Sequence, residues 1–122
     1  MGTFSELCLE YPSIKSVYSP FDDHIIINIK NGYGYIAGAN IRSLLLGVYS
    51  FLTKVGLRWI RPKTDGEIII KKCVFDMTVN VDEKPTYRHR GICIEGANTI
   101  NNIIDLIDWL PKVGMNSYFI QF

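Results

Sequence analysis

The first half of the chain carries two hydrophobic periods in succession, and the first has the two-residue repeat of a strand. DDHIIINIK (22–30) passes from polar positions into a β-branched run, and YGYIAG (33–38) resumes the run after Asn31 and Gly32. Asn-Gly readily adopts the positive φ angles of a tight turn. The pattern predicts a β-hairpin, whereas residues 1–22 show no sustained period.

The second period is helical and begins after Asn40. Asn40 belongs to the residue types that cap helix N-termini, and Gly56 to those that end helices. Between them, apolar residues at spacings of three and four predict an amphipathic helix whose apolar stripe lies on the sheet. The stripe consists of Ile41, Leu44, Leu45, Val48, Leu52 and Val55.

Three further apolar segments are predicted to be strands. They are LRWI (57–60), EIIIKK (67–72) and CVFDMTVNV (73–81). Together with the hairpin and the helix, they predict the α+β class, with an antiparallel or mixed sheet and one main helix packed on a face.

A polar segment, VDEKPT (81–86), follows these strands and contains Pro85. Its composition is typical of a connection between two folded units. We therefore predict a non-catalytic α+β domain at 1–85 and a second unit at 86–122.

The second unit has a strand pattern on each side of a helical pattern. RGICI (90–94) and MNSYFIQF (115–122) are apolar runs of strand length. Asn98 or Thr99 can cap the helix between them, and Pro111 should kink or tighten its last turn. The helical stripe comprises Ile100, Ile103, Ile104, Ile107 and Leu110.

This order predicts a βαβ unit with parallel strands, which looks like the start of a (β/α)8 barrel. A nearly continuous apolar strand is typical of a strand that is covered on both faces. Two parallel strands cannot cover themselves. We therefore expect either further chain after Phe122 or another molecule to supply the cover.

The charge balance excludes some classes of partner. The chain has 122 residues, the size of one ordinary domain, and 13 Lys and Arg against 12 Asp and Glu give a formal net charge of +1. Strong nucleic-acid or anionic-membrane binders carry a much larger positive excess. No run reaches the roughly 18 apolar residues of a membrane span, and the segment MGTFSELCLEYPS (1–13) shows no basic region followed by an apolar run, so no leader is expected. We predict no nucleic-acid partner, no membrane contact and a cytoplasmic location.

Neither a metal nor a cofactor is predicted. The three cysteines, Cys8, Cys73 and Cys93, are too few and too scattered for a disulfide framework or a zinc site. Cys93 stands between two isoleucines and is interpreted as a small buried hydrophobe. Asp22, Asp23 and His24 lack a fourth ligand at useful spacing, so they are interpreted as the polar lead-in to a strand.

The residues around this junction resemble those of a known family. After Pro85 come YRHRGICIE (87–95) and a helix that ends in KVGMN (112–116). This order is similar to the junction between the non-catalytic α/β domain and the barrel in glycoside hydrolases of family 20, the β-N-acetylhexosaminidases. GYGYIAGANIRSLLLGVYSFLTKVGLRWIRP (32–62) also resembles the second domain of that family and its counterpart in the family 67 α-glucuronidases. The resemblance covers residues 24–122.

The resemblance implies a sugar-binding edge but no catalytic residue in this chain. Glu95 matches the acid that ends the first barrel strand, whereas Asn98 stands where the family has a sugar-binding arginine. Gln121 lies where the second strand typically carries His-x-His. The family's catalytic Asp-Glu pair falls beyond Phe122. The candidate substrate-binding residues are therefore Glu95, Asn98 and Gln121, and the sugar preference of the family does not carry over.

Each of these three residues also has a structural interpretation. Glu95 at the carboxyl end of its strand can contact a sugar hydroxyl or can cap the loop or the next helix. Asn98 can bind a ligand or cap that helix. Gln121 can face a ligand or be merely exposed.

Other polar and aromatic residues are interpreted as structural. Arg88, His89 and Arg90 precede the strand at the end opposite to the expected site, which favours a role in stability. Asp105 and Asp108 share an outer helix face and are expected to be solvated rather than a catalytic pair. Trp59 and Trp109 are interpreted as core or interface residues.

The sequence therefore suggests two functions. The first is an N-terminal fragment of a carbohydrate-active glycoside hydrolase, which is non-catalytic by itself and supports a downstream barrel. It would meet carbohydrate only through that barrel. The alternative is a free-standing α+β interaction module that pairs through its C-terminal strand, with a partner or as a homo-oligomer.

Overall fold

The computed structural model of the protein describes residues 1–14, 19–70, 73, 75–95 and 99–121. The strands are β1 (Gly2–Thr3), β2 (Ile25–Lys30), β3 (Tyr33–Gly38), β4 (Arg58–Trp59), β5 (Glu67–Ile68), β6 (Val79–Glu83), β7 (Gly91–Glu95) and β8 (Ser117–Gln121). The α-helices are α1 (Phe4–Leu7), α2 (Ile41–Val55) and α3 (Ile100–Trp109), and short 3₁₀ helices cover Thr64–Gly66 and Leu110–Val113.

A four-stranded mixed sheet in the order β1–β3–β2–β6 forms the centre of the fold. β2 is antiparallel to β3 and to β6, while β1 runs parallel to β3. Asn31 and Gly32, with φ of 50° and 77°, form the turn between β2 and β3, so the predicted hairpin is confirmed. The predicted α+β class, with a mixed sheet and α2 packed on it, is also confirmed.

Both faces of this sheet are covered. The cluster under α2 is made of Ile25, Ile27, Ile36, Leu46 and Val79. The cluster on the other face joins the sheet to the N-terminal segment and consists of Phe4, Leu7, Ile14, Tyr35, Ala37 and Ala39. The N-terminal segment thus covers the second face of the sheet, although its sequence shows no sustained period that would predict this role.

The predicted ends of α2 are correct. The Asn40 side-chain oxygen accepts a hydrogen bond from the backbone N–H of Ser43 at 2.8 Å. Gly56 ends the helix in the left-handed region, with a φ of 119°. Both residues satisfy backbone groups that a helix end otherwise leaves without partners.

The buried face of α2 is rotated relative to the predicted stripe. Ile41 is 80% exposed and Leu45 is 46% exposed, so the prediction that these two members of the stripe lie on the sheet was wrong. Ser43, Leu46 and Gly47 are buried instead. A Cβ at Gly47 would lie 3.0 and 3.1 Å from the methyl carbons of two strand isoleucines, so the glycine lets the helix approach the sheet closely.

The strands after α2 are shorter than predicted or shifted. β4 occupies only the middle of the segment 57–60, and β5 only the start of 67–72. The strand predicted at 73–81 begins at Val79, the first of its described residues to be buried, and continues to Glu83. Three positions of these predicted strands lie outside the described residues, namely 71, 72 and 74.

The polar segment 81–86, which was predicted to connect two folded units, begins inside strand β6 of the sheet. Asp82 and Glu83 pair with β2 through their backbones while their side chains remain exposed. An edge strand needs a backbone partner on one side only and tolerates charged side chains. The polarity of these residues therefore marks a sheet edge rather than the start of a linker.

β7, α3 and β8 form the predicted strand–helix–strand unit. The two strands are parallel, with a register that runs from Gly91 opposite Ser117 to Glu95 opposite Gln121. They form a two-stranded sheet that is separate from the four-stranded one.

The start and the end of α3 follow local signals. Thr99 caps the helix by accepting from the backbone N–H of Asn102 at 3.3 Å, whereas Asn98, the other predicted cap, lies outside the described residues. Pro111 lies in the 3₁₀ helix that follows α3, so the tightening of the last turn is confirmed. In the described parts of the chain, no helix has the length and apolar content needed to cross a membrane.

Candidate functional site

The carboxyl ends of β7 and β8 bring two of the predicted site residues together. Glu95 and Gln121 are register partners at the last rung of the parallel pair, and both are exposed. A carboxylate beside an amide can accept and donate hydrogen bonds to hydroxyl groups. Glycoside hydrolysis needs two carboxylates, and this rung contains one. The third predicted residue, Asn98, lies outside the described residues.

The two faces of the β7–β8 pair differ in burial. One face is half-buried and carries Ile92, Ile94, Tyr118 and Ile120. The other is open to solvent and carries Gly91, Cys93, Glu95, Phe119 and Gln121, the phenylalanine being 63% exposed. The prediction that Cys93 is buried was therefore wrong. Its side chain points to the face that nothing in the described chain covers, because side chains alternate along a strand.

A buried carboxylate joins this unit to the four-stranded layer. Asp23 is 3% exposed and accepts four hydrogen bonds. One oxygen accepts from Arg42 Nε at 2.9 Å and from Ser43 Oγ at 3.0 Å. The other accepts from Arg90 Nη2 at 2.9 Å and from Asn116 Nδ2 at 2.7 Å. Two donors belong to α2, and two belong to the segments that enter β7 and β8.

These hydrogen bonds hold Asp23 in its charged form. Burial raises the pKa of the carboxyl group, but hydrogen bonds from Arg90, Arg42, Asn116 and Ser43 together outweigh burial and lower the pKa below its ordinary value. An ionised carboxylate with four donors is a fully satisfied buried anion. Asp23 therefore acts as a fixed negative centre to which both units are tied.

Neighbouring residues extend the same junction. Arg88 Nε donates to Asp22 at 2.9 Å, and its guanidinium lies 5.6 Å from the centre of the Phe21 ring. The hydrogen bond from Arg88 lowers the pKa of Asp22. Asn116 also accepts from the backbone N–H of Arg90 and donates to the carbonyl of Arg88. The two arginines that the sequence placed before the strand thus anchor it to the first layer.

Sequence reasoning missed the role of Asp23 and treated it only as a lead-in to β2. The sequence did contain a signal, because two acids, Asp22 and Asp23, precede β2 and two arginines in an Arg-x-Arg pattern precede β7. That complementarity indicates an ion-pair junction only if the two strands start near each other, which the sequence does not show.

A second set of contacts joins the units beside the β4–β5 hairpin. Trp109 Nε1 donates to the carbonyl oxygen of Trp59 at 3.0 Å, in line with the interpretation of Trp109 as an interface residue and of Trp59 as a core or interface residue. Lys112 Nζ lies 2.7 Å from Asp108 and 3.1 Å from Glu67. The hydrogen bond to Asp108 is the main cause of a raised pKa at Lys112, although partial burial opposes it.

The two helix acids expected to be solvated differ in exposure. The side chain of Asp108 is 65% exposed, whereas that of Asp105 is 27% exposed and lies 3.5 Å from Lys63 Nζ. Each acid therefore has a lysine partner. Within the described ranges, no group of three or more His, Cys, Asp and Glu side chains is arranged to hold a metal ion.

Comparisons with known proteins give no match: no family model, no curated protein and no solved structure is significantly similar to this chain. The resemblance to glycoside hydrolase families 20 and 67 therefore rests on residue patterns alone.

Proposed function

We propose that this chain is the non-catalytic N-terminal part of a carbohydrate-active glycoside hydrolase and that it supports a catalytic barrel. One observation carries the proposal. The parallel β7–β8 pair is half-buried on one face and bare on the other, and the bare face holds Glu95 and Gln121 side by side at the carboxyl ends of the strands.

Parallel sheets occur almost only with both faces covered. In a (β/α)8 barrel, alternate side chains of each strand fill the interior, and the carboxyl ends of the strands hold the substrate. The bare face, with Cys93 and Phe119 below Glu95 and Gln121, suits the interior of such a barrel. Further strands would cover this face and complete a sugar-binding edge.

The supporting role follows from the contacts between the two units. Asp23 ties the starts of β7 and β8 to α2 through buried charged hydrogen bonds. Trp59 and Lys112 add a second connection on the side of the β4–β5 hairpin. A layer that holds the first two strands of a barrel at their amino ends leaves their carboxyl ends free for substrate.

The chain by itself is expected to be inactive. Glu95 is one carboxylate, and both retaining and inverting glycosidases use a pair that flanks the scissile bond. In the complete enzyme, Glu95 and Gln121 would bind sugar hydroxyls, with Asn98 as a further candidate, and the catalytic acids would come from later strands.

The coding sequence downstream of the Phe122 codon tests the proposal directly. We expect an open frame with further strand–helix units and paired acids at strand ends. The longer chain should hydrolyse chromogenic glycosides, and Glu95→Gln should raise KM, whereas Lys30→Gln at the hairpin should not. A stop codon directly after Phe122, or a longer frame without strand-end acids, would overturn the proposal.

The alternative, an interaction module that pairs through β8, is favoured by one feature. Phe119 is 63% exposed on a strand that has one partner strand among the described residues. A module predicts a dimer of defined stoichiometry in sedimentation equilibrium, with β7 and β8 as protected from hydrogen exchange as β2. The dimer should be lost in Phe119→Ser but kept in Phe75→Ser, since Phe75 is similarly exposed at 70% and lies far from β8 in sequence.

A further inference from the structure

A cavity of about 470 Å³ opens between α2, the β4–β5 hairpin and the 3₁₀ helix Leu110–Val113. Its volume lies within the range of roughly 300–1,000 Å³ that small-molecule sites occupy. It is lined by residues of both units and lies apart from the Glu95–Gln121 edge. Neither the resemblance nor the proposed function uses it.

The walls of the cavity are mainly apolar. Ile25 and Leu46 belong to the core under α2, and Ile68 and Val113 come from β5 and the 3₁₀ helix. Trp59 adds an aromatic wall whose ring meets Tyr49 edge-on at 5.2 Å, which fixes its orientation. An apolar ligand body gains from leaving water in such a site.

Two of the cations in the lining are already neutralised. Arg90 is paired with Asp23 at 2.9 Å, and Lys112 is paired with Asp108 and Glu67. These ion pairs belong to the junction between the units. Because these two positive charges are already compensated, they contribute little to the binding of an anionic ligand.

Two other cations in the lining, Lys54 and Arg58, form no ion pair with any described residue. Arg58 Nη1 donates to the carbonyl oxygens of Thr53 at 2.6 Å and Leu57 at 2.7 Å, close to the end of α2. These bonds hold the guanidinium in place, and they use only one of its three nitrogens. The other two nitrogens and the Lys54 ammonium can still donate.

We propose that this cavity binds a small amphipathic monoanion, with its apolar body against Trp59 and Ile68 and its carboxylate on Lys54 and Arg58. Cationic donors beside an apolar pocket recognise a carboxylate through charge-assisted hydrogen bonds. Glu83 also lines the cavity without an ion-pair partner among the described residues. Its charge opposes a second negative charge on the ligand, which favours monoanions over dianions.

Titration with 4-phenylbutyrate tests this proposal, followed by amide and indole NMR shifts in the chain of residues 1–122. We expect saturable shifts at the Trp59 indole and at β5, and weaker binding of the neutral 4-phenylbutanamide. Lys54→Met should weaken carboxylate binding about tenfold, because a charge-assisted hydrogen bond is lost. Arg58→Met should act in the same direction.

Two matched variants separate this site from general binding. Glu83→Gln should strengthen carboxylate binding by roughly threefold, since it removes an exposed like charge. Lys30→Met, at the hairpin and outside the cavity, should leave the affinity unchanged, and circular dichroism should report the same fold for all variants. Equal binding of the amide, no effect of Lys54→Met, or shifts confined to α3 and β8 would each overturn the proposal.

Discussion

The four-stranded sheet and the β7–β8 pair are built from similarly apolar strands but are covered to different degrees. β2 and β3 lie between α2 on one face and the N-terminal segment on the other, and Ile27 has no exposed surface. In β7, β8 and α3, none of the described residues is buried. The first layer is therefore stabilised by its own core, whereas the second unit depends on its anchoring to that layer.

This difference separates the stabilising junction from the proposed sugar-binding edge. The junction around Asp23 lies at the amino ends of β7 and β8, while Glu95 and Gln121 lie at the carboxyl ends. A unit that is held at one end and bare at the other is suited to receive further structure.

Replacing Asp23 should have the largest effect. Asp23→Ala removes the carboxylate that Arg90, Arg42 and Asn116 share, and removing one member of a buried ion-pair cluster costs about 3–5 kcal/mol. Urea unfolding measures the loss. Asp22→Ala is the matched control, because the Asp22 side chain is 42% exposed and accepts from Arg88 and Ser19 outside the buried cluster. An equal loss in both variants would show that the buried junction does not hold the two units together.

Truncation of one isoleucine in each sheet should give unequal losses. Ile27→Ala creates a cavity in a fully buried site and should cost about 3 kcal/mol. Ile94→Ala removes a half-buried side chain and should cost no more than about 1 kcal/mol. Urea unfolding of the two variants checks the ratio. Equal losses would mean that the β7–β8 pair is buried in solution, as in a self-associated form.

Acid should weaken the junction. Because the pKa of Asp23 is lowered in the folded protein, its contribution is fully present above the unfolded value of about 3.9 and is lost as the pH falls through the lower native pKa. Urea midpoints measured from pH 7 to pH 3 should fall less steeply in Asp23→Asn than in the natural chain. Parallel pH profiles would place the acid sensitivity elsewhere.

The smallest effect is expected at the exposed face of α2. Ile41→Ser should change stability by less than about 0.5 kcal/mol, because this side chain is 80% exposed. Thermal unfolding is sufficient to measure it. A loss comparable to that of Leu46→Ala would favour the stripe predicted from periodicity over the observed face.

Helix α2 shows which features could be predicted from the sequence and which could not. Its start at Asn40 and its end at Gly56 were correct, because capping depends on groups within one helical turn. Its buried face was wrong in part, because periodicity counts apolar side chains and gives no weight to a glycine or a serine. Gly47 and Ser43 are buried here for reasons of close approach and hydrogen bonding to Asp23.

The candidate site also has features that the sequence predicted and features that it did not. The strand–helix–strand periodicity indicated two parallel strands, and their pairing brings Glu95 next to Gln121. The exposure of Cys93 could not be predicted, because the hydrophobic pattern of an apolar strand does not show whether its second face is covered. The position of Asn98 stays a prediction.

By itself the sequence determined the hairpin at Asn31–Gly32, the ends of α2 and the strand–helix–strand order, because these depend on backbone preferences and contacts over a few residues. Only the tertiary structure decided what surrounds Asp23, whose partners Arg42, Arg90 and Asn116 lie 19, 67 and 93 positions away along the chain. Such partners meet only after the layers have packed. No local pattern specifies a contact whose formation depends on the orientation of every element between its two ends.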